Sequence, residues 1–190
     1  MLPPVRLAYH MMSSPLGPLF LARTVKGLRY CEFMDRKSLK RMMASHADQC
    51  PDARWEPSLL ELKGVADQLD EYFNGELQIF DLPLDPVGSE FQLKVWKQLL
   101  AIPFGATSSY GQTAKAIRQP KAARAVGMAN NQNPLVIIVP CHRIVGANGT
   151  LTGYGGGLPR KKWLLQHEST HKARTDQLPD LFTSSRRGSR

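Results

Sequence analysis

Eight residues near the middle of the chain, Asp81-Leu82-Pro83-Leu84-Asp85-Pro86-Val87-Gly88, constrain the fold more than any other stretch. Prolines, aspartates and a glycine at this density suit neither a helix interior nor a central strand. They read as a connector over 81–88, dividing a strand-bearing half (1–80) from a helix-rich half (89–168). In the first half, Val5–Met11, Leu19–Thr24 and Leu28–Met34 read as antiparallel strands, with Ser14-Pro15-Leu16-Gly17-Pro18 and Lys26-Gly27 as turns. Residues 36–47 read as a helix. Leu59, Leu62, Val65, Ala66, Leu69 and Phe73 mark one face of another, stopped by Asn74-Gly75.

The second half is built differently. Ser89 suits a helix cap, and Phe91, Val95, Trp96, Leu99 and Leu100 form a core-facing stripe. A short helix follows the serines before Tyr110, then a turn at Arg118-Gln119-Pro120, then a second short helix over 121–130. Two short helices on a tight turn fit a helix-turn-helix. The second carries Ala122, Ala123, Ala125, Gly127 and Ala129 around Arg124. Small side chains let a helix approach a groove closely, and they suit a tightly packed core helix equally well.

Next comes Leu135-Val136-Ile137-Ile138-Val139, an apolar run that reads as a buried strand and ends at Pro140. Pro140 has no N–H to donate, so pairing stops there. Cys141 then stands where the strand leaves the sheet, beside the base-capable His142, a plausible setting for a reactive thiolate. Gly153-Tyr154-Gly155-Gly156-Gly157 implies a loop with unusual backbone angles or close approach to a ligand. Pro159 opens a last helix ending near His167-Glu168. Residues 169–190 read as a basic, flexible tail.

Composition narrows the class. A net charge of +9 suits a polyanionic partner, nucleic acid above all, although many small proteins are basic for no specific reason. There is no run of eighteen apolar residues, so no membrane span is expected, and the N-terminus lacks the pattern of a secretory signal. Cys31, Cys50 and Cys141 are widely spaced and odd in number, which signals neither a disulfide framework nor a zinc site. Cys31 reads as core and Cys50 as an incidental thiol in a polar loop. The expectation is a cytoplasmic protein with no metal and no cofactor.

Taken together, Asn133-Pro134, Pro140-Cys141-His142-Arg143, the 122–127 helix, Tyr154-Gly155-Gly156-Gly157-Leu158 and Trp163-Leu164-Leu165 with His167-Glu168 form a specific pattern. In this pattern the chain resembles the O6-alkylguanine-DNA alkyltransferases, or methylated-DNA–protein-cysteine methyltransferases, of the bacterial Ogt type. The resemblance is dense over 89–168 and looser over 1–80, where Ser14-Pro15-Leu16-Gly17-Pro18-Leu19 carries it. It implies an α+β fold: an N-terminal ribonuclease H-like α/β domain and a C-terminal, mainly helical domain with the helix-turn-helix. It implies direct-reversal DNA repair, with the alkyl group of O6-alkylguanine, and of O4-alkylthymine, moving to Cys141 once per protein molecule.

The roles follow from the same resemblance. His142 takes the thiol proton through a water, Glu168 orients the imidazole, and Asn133 braces the turn. The Tyr110 hydroxyl donates to a ring nitrogen of the departing base. The second helix enters the minor groove of double-stranded DNA through Lys121, Ala122, Ala123, Ala125 and Gly127, while Arg124 fills the gap left by the flipped nucleotide. Tyr154, Gly155 and the carbonyls of Cys141 and Ile144 line the base pocket, and Gly156 leaves its rim open to bulky alkyl groups. The protein is expected to act as a monomer, with cooperation on DNA left open. Three rivals fit less well. Cys141 argues against a lesion binder that lacks the transfer, and an alanine-rich helix suits a transcriptional regulator poorly. Adjacent Cys and His are poor geometry for a hydrolase dyad in direct contact.

Overall fold

A computed structural model describes residues 5–34, 38–47 and 49–175, with no account of the side chains of 173–175. Three antiparallel strands, β1 (Arg6–Met12), β2 (Leu19–Arg23) and β3 (Leu28–Phe33), open the chain. A short α1 (Leu39–Ala44), capped by Ser38, leads to β4 (Arg54–Pro57), which pairs in parallel with β1. The sheet order is β3-β2-β1-β4. β4 was not foreseen; four mostly exposed residues carry no alternating pattern to reveal it. Of the helix expected over 36–47, Arg36 and Lys37 lie outside the described residues, and the helix ends at Ala44.

Helix α2 (Leu59–Asn74) buries Leu62, Val65, Leu69 and Tyr72, and Gly75 ends it in the left-handed conformation (φ 80°) that glycine adopts at no steric cost. The connector then lies along the sheet edge rather than hanging free. Leu28 exchanges two backbone hydrogen bonds with it (Leu28 N to Pro83 O and Asp85 N to Leu28 O, both 2.8 Å). The Asp85 carboxylate pairs with Arg29 and accepts from Thr24 Oγ1 at 2.6 Å. Gly27 makes this possible, because a Cβ there would collide with the Pro83 carbonyl.

The second half packs α3 (Glu90–Leu100), α4 (Tyr110–Ala116) and α5 (Ala123–Asn131) together, with α4 and α5 joined through Arg118 at φ 60°. Ser89 and Ser109 cap α3 and α4 in reciprocal capping boxes with Gln92 and Gln112. Val95, Trp96 and Leu99 are buried as expected, but Leu100 is 48% exposed, because it falls at the edge of the stripe. A two-residue β5 (Ser108–Ser109) pairs in parallel with β6 (Ile144–Val145), and α6 (Leu158–Thr175) closes the fold. α6 runs past Glu168 to Thr175, so the helix does not end near His167-Glu168. The tail from 176 lies outside the described residues.

Two further expectations fail. Residues 135–139 do not form a strand: only Leu135 makes a bridge, to Cys31. The run coils instead through tight turns, with Ile137 at φ 73°. Cys50 is buried, not a loose loop thiol; its Sγ accepts from Arg29 at 3.5 Å. Cys31 is fully buried, as expected of a core residue. One hydrophobic cluster runs from β2 and β3 through α2, α3 and α5 to residues 135–141, so the two halves share a core.

Candidate active site

The turn that carries Cys141 is held by a side chain. Asn133 Oδ1 accepts the Leu135 N–H at 3.0 Å, while Nδ2 donates to Val139 O (2.8 Å) and approaches Cys141 Sγ (3.1 Å). These bonds replace the ladder a strand would have made, which is why so apolar a segment can coil. The coil continues through Val139 N to Leu135 O (2.8 Å) and Cys141 N to Val139 O (2.7 Å). Left-handed backbone at a β-branched residue costs about 1–2 kcal/mol, and Ile137 bears it inside a fully packed core. Cys141 therefore opens a 3-10 turn (Cys141–Arg143) instead of leaving a strand. Asn130 Nδ2 donates to its carbonyl at 3.3 Å. Burial pushes the thiol up to about 11, and the Asn133 amide works in the opposite direction.

His142 and Glu168 are both fully buried. His142 Nε2 lies 2.7 Å from Glu168 Oε1, and Nδ1 is buried with no hydrogen-bond partner. Burial alone would raise the Glu168 pKa, but bonds from His142 and Arg143 hold it at about 2, so it is a carboxylate. The hydrogen-bond pattern therefore assigns the imidazole proton to Nε2 and leaves Nδ1 as the free base. Burial also lowers the His142 pKa, against the opposing pull of Glu168. Three more groups fix the carboxylate: Arg143 Nε at 2.9 Å, Tyr72 Oη at 3.0 Å and the Gly105 amide at 3.0 Å. Sequence reasoning gave no role to Tyr72 or Gly105, which reach Glu168 only through long-range folding.

Across from this cluster, Tyr110 begins α4 and donates to Gly153 O at 3.5 Å. Gly127 on α5 lies beneath its ring; a Cβ there would sit 3.5 Å from Tyr110 Cε1. Tyr154 is buried, and its hydroxyl has no hydrogen-bond partner. Gly155 approaches the Asn131 carbonyl closely. Gly156 does not border open space: a Cβ would stand 2.7 Å from the Tyr154 ring and 3.0 Å from that of Phe33. The open rim expected there is thus a close approach between the loop and its neighbours. Ile144 is buried in β6. Lys161, also missed, is completely buried and donates to Thr152 O (2.6 Å) and Gly153 O (3.4 Å), anchoring the loop below.

Helix α5 presents Arg124, Ala125 and Met128 to solvent, with Lys121 exposed in the turn before it, while Val126, Ala129 and Asn130 face the core. Ala122, Ala123 and Gly127 lie half-buried between. Its small residues thus divide, with Ala129 packed in the core and Ala125 facing solvent. Among the described residues no three His, Cys, Asp or Glu side chains group as a metal would require. No described helix is long and apolar enough to cross a membrane.

The sequence profile of the 6-O-methylguanine DNA methyltransferase DNA-binding domain matches residues 90–170, and that of the ribonuclease-like domain of the same proteins matches 7–86. The chain belongs to the 6-O-methylguanine DNA methyltransferase family. Both the α+β architecture and the enzyme class expected from the sequence, a methylated-DNA–protein-cysteine methyltransferase, are those of the family. The methylated-DNA–protein-cysteine methyltransferase of Methanosarcina acetivorans is 48% identical over 85% of this chain and 98% of its own length. The crystal structure of Mycobacterium tuberculosis O6-methylguanine methyltransferase superposes with a TM-score of 0.76 at 45% identity, covering 87% of this chain and 94% of its own. The same mycobacterial protein in complex with DNA gives 0.74 over 88% and 94%.

Proposed function

We propose that this family member repairs DNA by moving the alkyl group of O6-alkylguanine onto Cys141, once per protein molecule, with O4-alkylthymine as a second substrate. The observation that carries the reading is the Cys141 cluster: a buried thiol on a braced turn, next to an imidazole whose free nitrogen is unpartnered and whose other nitrogen is locked to Glu168.

The target carbon lies within the base stack, so the nucleotide has to leave the duplex. Helix α5 enters the minor groove on its small residues Ala122, Ala123, Ala125 and Gly127. Lys121 holds the backbone, and Arg124 occupies the gap in the stack. The base then lies between Tyr110 and the 153–157 loop, with Tyr154, Gly155, Gly156 and the Cys141 and Ile144 carbonyls around it. The thiol proton passes through a water to His142 Nδ1. The thiolate attacks the alkyl carbon; the S–C bond forms as the C–O bond breaks. The electron pair stays on the guanine, whose charge the Tyr110 hydroxyl offsets by donating to a ring nitrogen. The base recovers one proton, matching the one the thiol lost. A soft sulfur suits displacement at saturated carbon, and the thioether product has no leaving group that water readily displaces. The protein acts as a monomer in the cytoplasm and needs no metal or cofactor.

Intact-protein mass spectrometry tests this, after mixing with duplexes carrying one O6-methylguanine or one O4-methylthymine. The wild type should gain a single CH2 on Cys141, and Cys141→Ala should gain none. Lesion binding without mass gain would make the protein a lesion sensor instead.

A further inference from the structure

The motif Ser14-Pro15-Leu16-Gly17-Pro18 has no part in the chemistry above, yet it is rigid and faces the substrate loop. It forms the turn between β1 and β2. Ser14 Oγ donates to Gly17 O at 2.5 Å, Gly17 N to Ser14 O at 3.0 Å, and Met34 N to Pro18 O at 3.0 Å. Gly17 adopts φ 101°, in the region that favours glycine. The turn is thereby fixed with the Leu16 carbonyl directed at α6.

Arg160 of α6 meets it. Its Nε donates to Leu16 O at 2.9 Å, and its Nη1 donates to Gly156 O at 3.1 Å. Its Cζ lies 4.1 Å from the centroid of the Phe33 ring, at the end of β3. One planar guanidinium therefore grips a turn and an aromatic face of the N-terminal domain together with the loop that carries Tyr154. A guanidinium suits this task, since its fork donates in fixed directions while its face stacks. On the other side of the contact, Gly156 is wedged between the rings of Phe33 and Tyr154. Movement of Gly156 is thus coupled to movement of Tyr154, which is packed in the same cluster as Cys141.

We propose that Arg160 is a positioning residue: by clamping Gly156 to the Leu16 turn and Phe33, it makes the N-terminal domain a fixed outer wall of the alkyl pocket and sets the size of group accepted. This rests on the function proposed above. It assigns the N-terminal domain a part in substrate choice, beyond the Tyr72 hydroxyl that it lends to Glu168. With the clamp released, Gly156 and Tyr154 gain room, so small groups are held less well and large groups are admitted more easily.

The experiment compares transfer rates from duplexes carrying O6-methylguanine and O6-benzylguanine, for the wild type, Arg160→Met, Arg160→Lys and Phe33→Leu. Binding to undamaged duplex is measured alongside. Arg160→Met should slow methyl transfer about tenfold, the scale expected when reacting groups are misplaced by less than an ångström or so. The benzyl-to-methyl rate ratio should rise at least threefold, with affinity for undamaged duplex within twofold. Arg160→Lys should restore less than half of the lost rate, because an ammonium cannot reproduce the fork. A general loss of stability would lower both rates alike and leave the ratio unchanged, which overturns the proposal. So does an unchanged methyl rate in Arg160→Met. Should that variant not fold, Phe33→Leu carries the same test, since it removes the stacked face together with the ring that Gly156 packs against. A wild type that takes up no alkyl group at all refutes the proposed function; a wild type that does, beside variants with its own ratio, refutes the clamp only.

Discussion

Burial and charge make different demands on Cys141, His142 and Glu168, and stability should follow pH accordingly. Glu168 is held at about 2, so its contribution is present above the ordinary carboxylate value and is lost as pH falls through the folded one. The His142 pKa is lowered by burial, so below the ordinary imidazole range the unfolded state binds the proton first, and stability falls there too. Cys141 is pushed up to about 11 by burial; the unfolded thiol ionises first as pH rises from its usual value, and stability declines across that window. Denaturation by urea across pH should thus show a plateau near neutrality with loss on both sides. Cys141→Ser should reduce the alkaline loss without abolishing it, because burial pushes the Cys31 thiol up as well; an unchanged alkaline slope counts against the buried Cys141 thiol. Glu168→Gln leaves Arg143 and His142 in the core without their carboxylate. It should cost about 3–5 kcal/mol, the range for breaking one side of a buried ion pair, and a loss under about 1 kcal/mol in the same assay would contradict this.

At the scale of elements, α5 divides its labour by face. Val126, Ala129 and Asn130 hold it against the core, while Arg124, Ala125 and Met128 remain outside. A residue that acts only on DNA should matter only when DNA is present. Arg124→Ala should therefore slow transfer from a duplex by at least about tenfold, the lower end of a misplacement penalty. Transfer from free O6-benzylguanine base should stay within twofold. Equal losses on both substrates would place Arg124 in the pocket instead. The coil from 135 to 139 is the element with the greatest consequence for the site. It converts a run of β-formers into a turn that sets Sγ against Asn133, and Ile137 carries the backbone strain.

At the scale of the molecule, the two halves are one packed body. Cys31 on β3 bonds Pro134 and Val136 through its backbone (2.8 and 2.9 Å), so the sheet braces the Cys141 turn from behind. Sγ itself lies in the shared core, with Cys141 only 2% exposed. Adding a methyl group to a close-packed site costs about 1–3 kcal/mol. At roughly 2–4 °C per kcal/mol for a chain of this size, the alkylated protein should melt about 2–12 °C below the unmodified one. Scanning calorimetry before and after reaction with the lesion duplex checks this, and an equal or higher melting temperature would mean that the site has spare room.

How much of this was legible follows from which interactions are local. Caps, turns and stripes act within a few residues, so Ser89, Gly75, the faces of α2 and α3 and the helix-turn-helix could be read directly. Cys141 and His142 stood out as adjacent reactive residues after an apolar run, and Glu168 gained its role only through the family resemblance. The chain alone thus determined most of the elements, the class of fold and the family, with β4 and the 135–139 coil as the exceptions. The tertiary structure decided what depends on partners far away in sequence. Leu135 to Val139 has every local reason to be a strand, and it coils because Asn133 and Cys31 claim its backbone groups. Glu168 is a carboxylate in the core because His142 and Arg143 converge on it, with Tyr72 and the Gly105 amide as further donors. Arg160 looks like one more basic residue of a helix until folding sets its guanidinium between the Leu16 turn, the Phe33 ring and Gly156. A pattern in sequence records what neighbouring residues favour; a buried polar contact exists only once distant parts of the chain have excluded water around it.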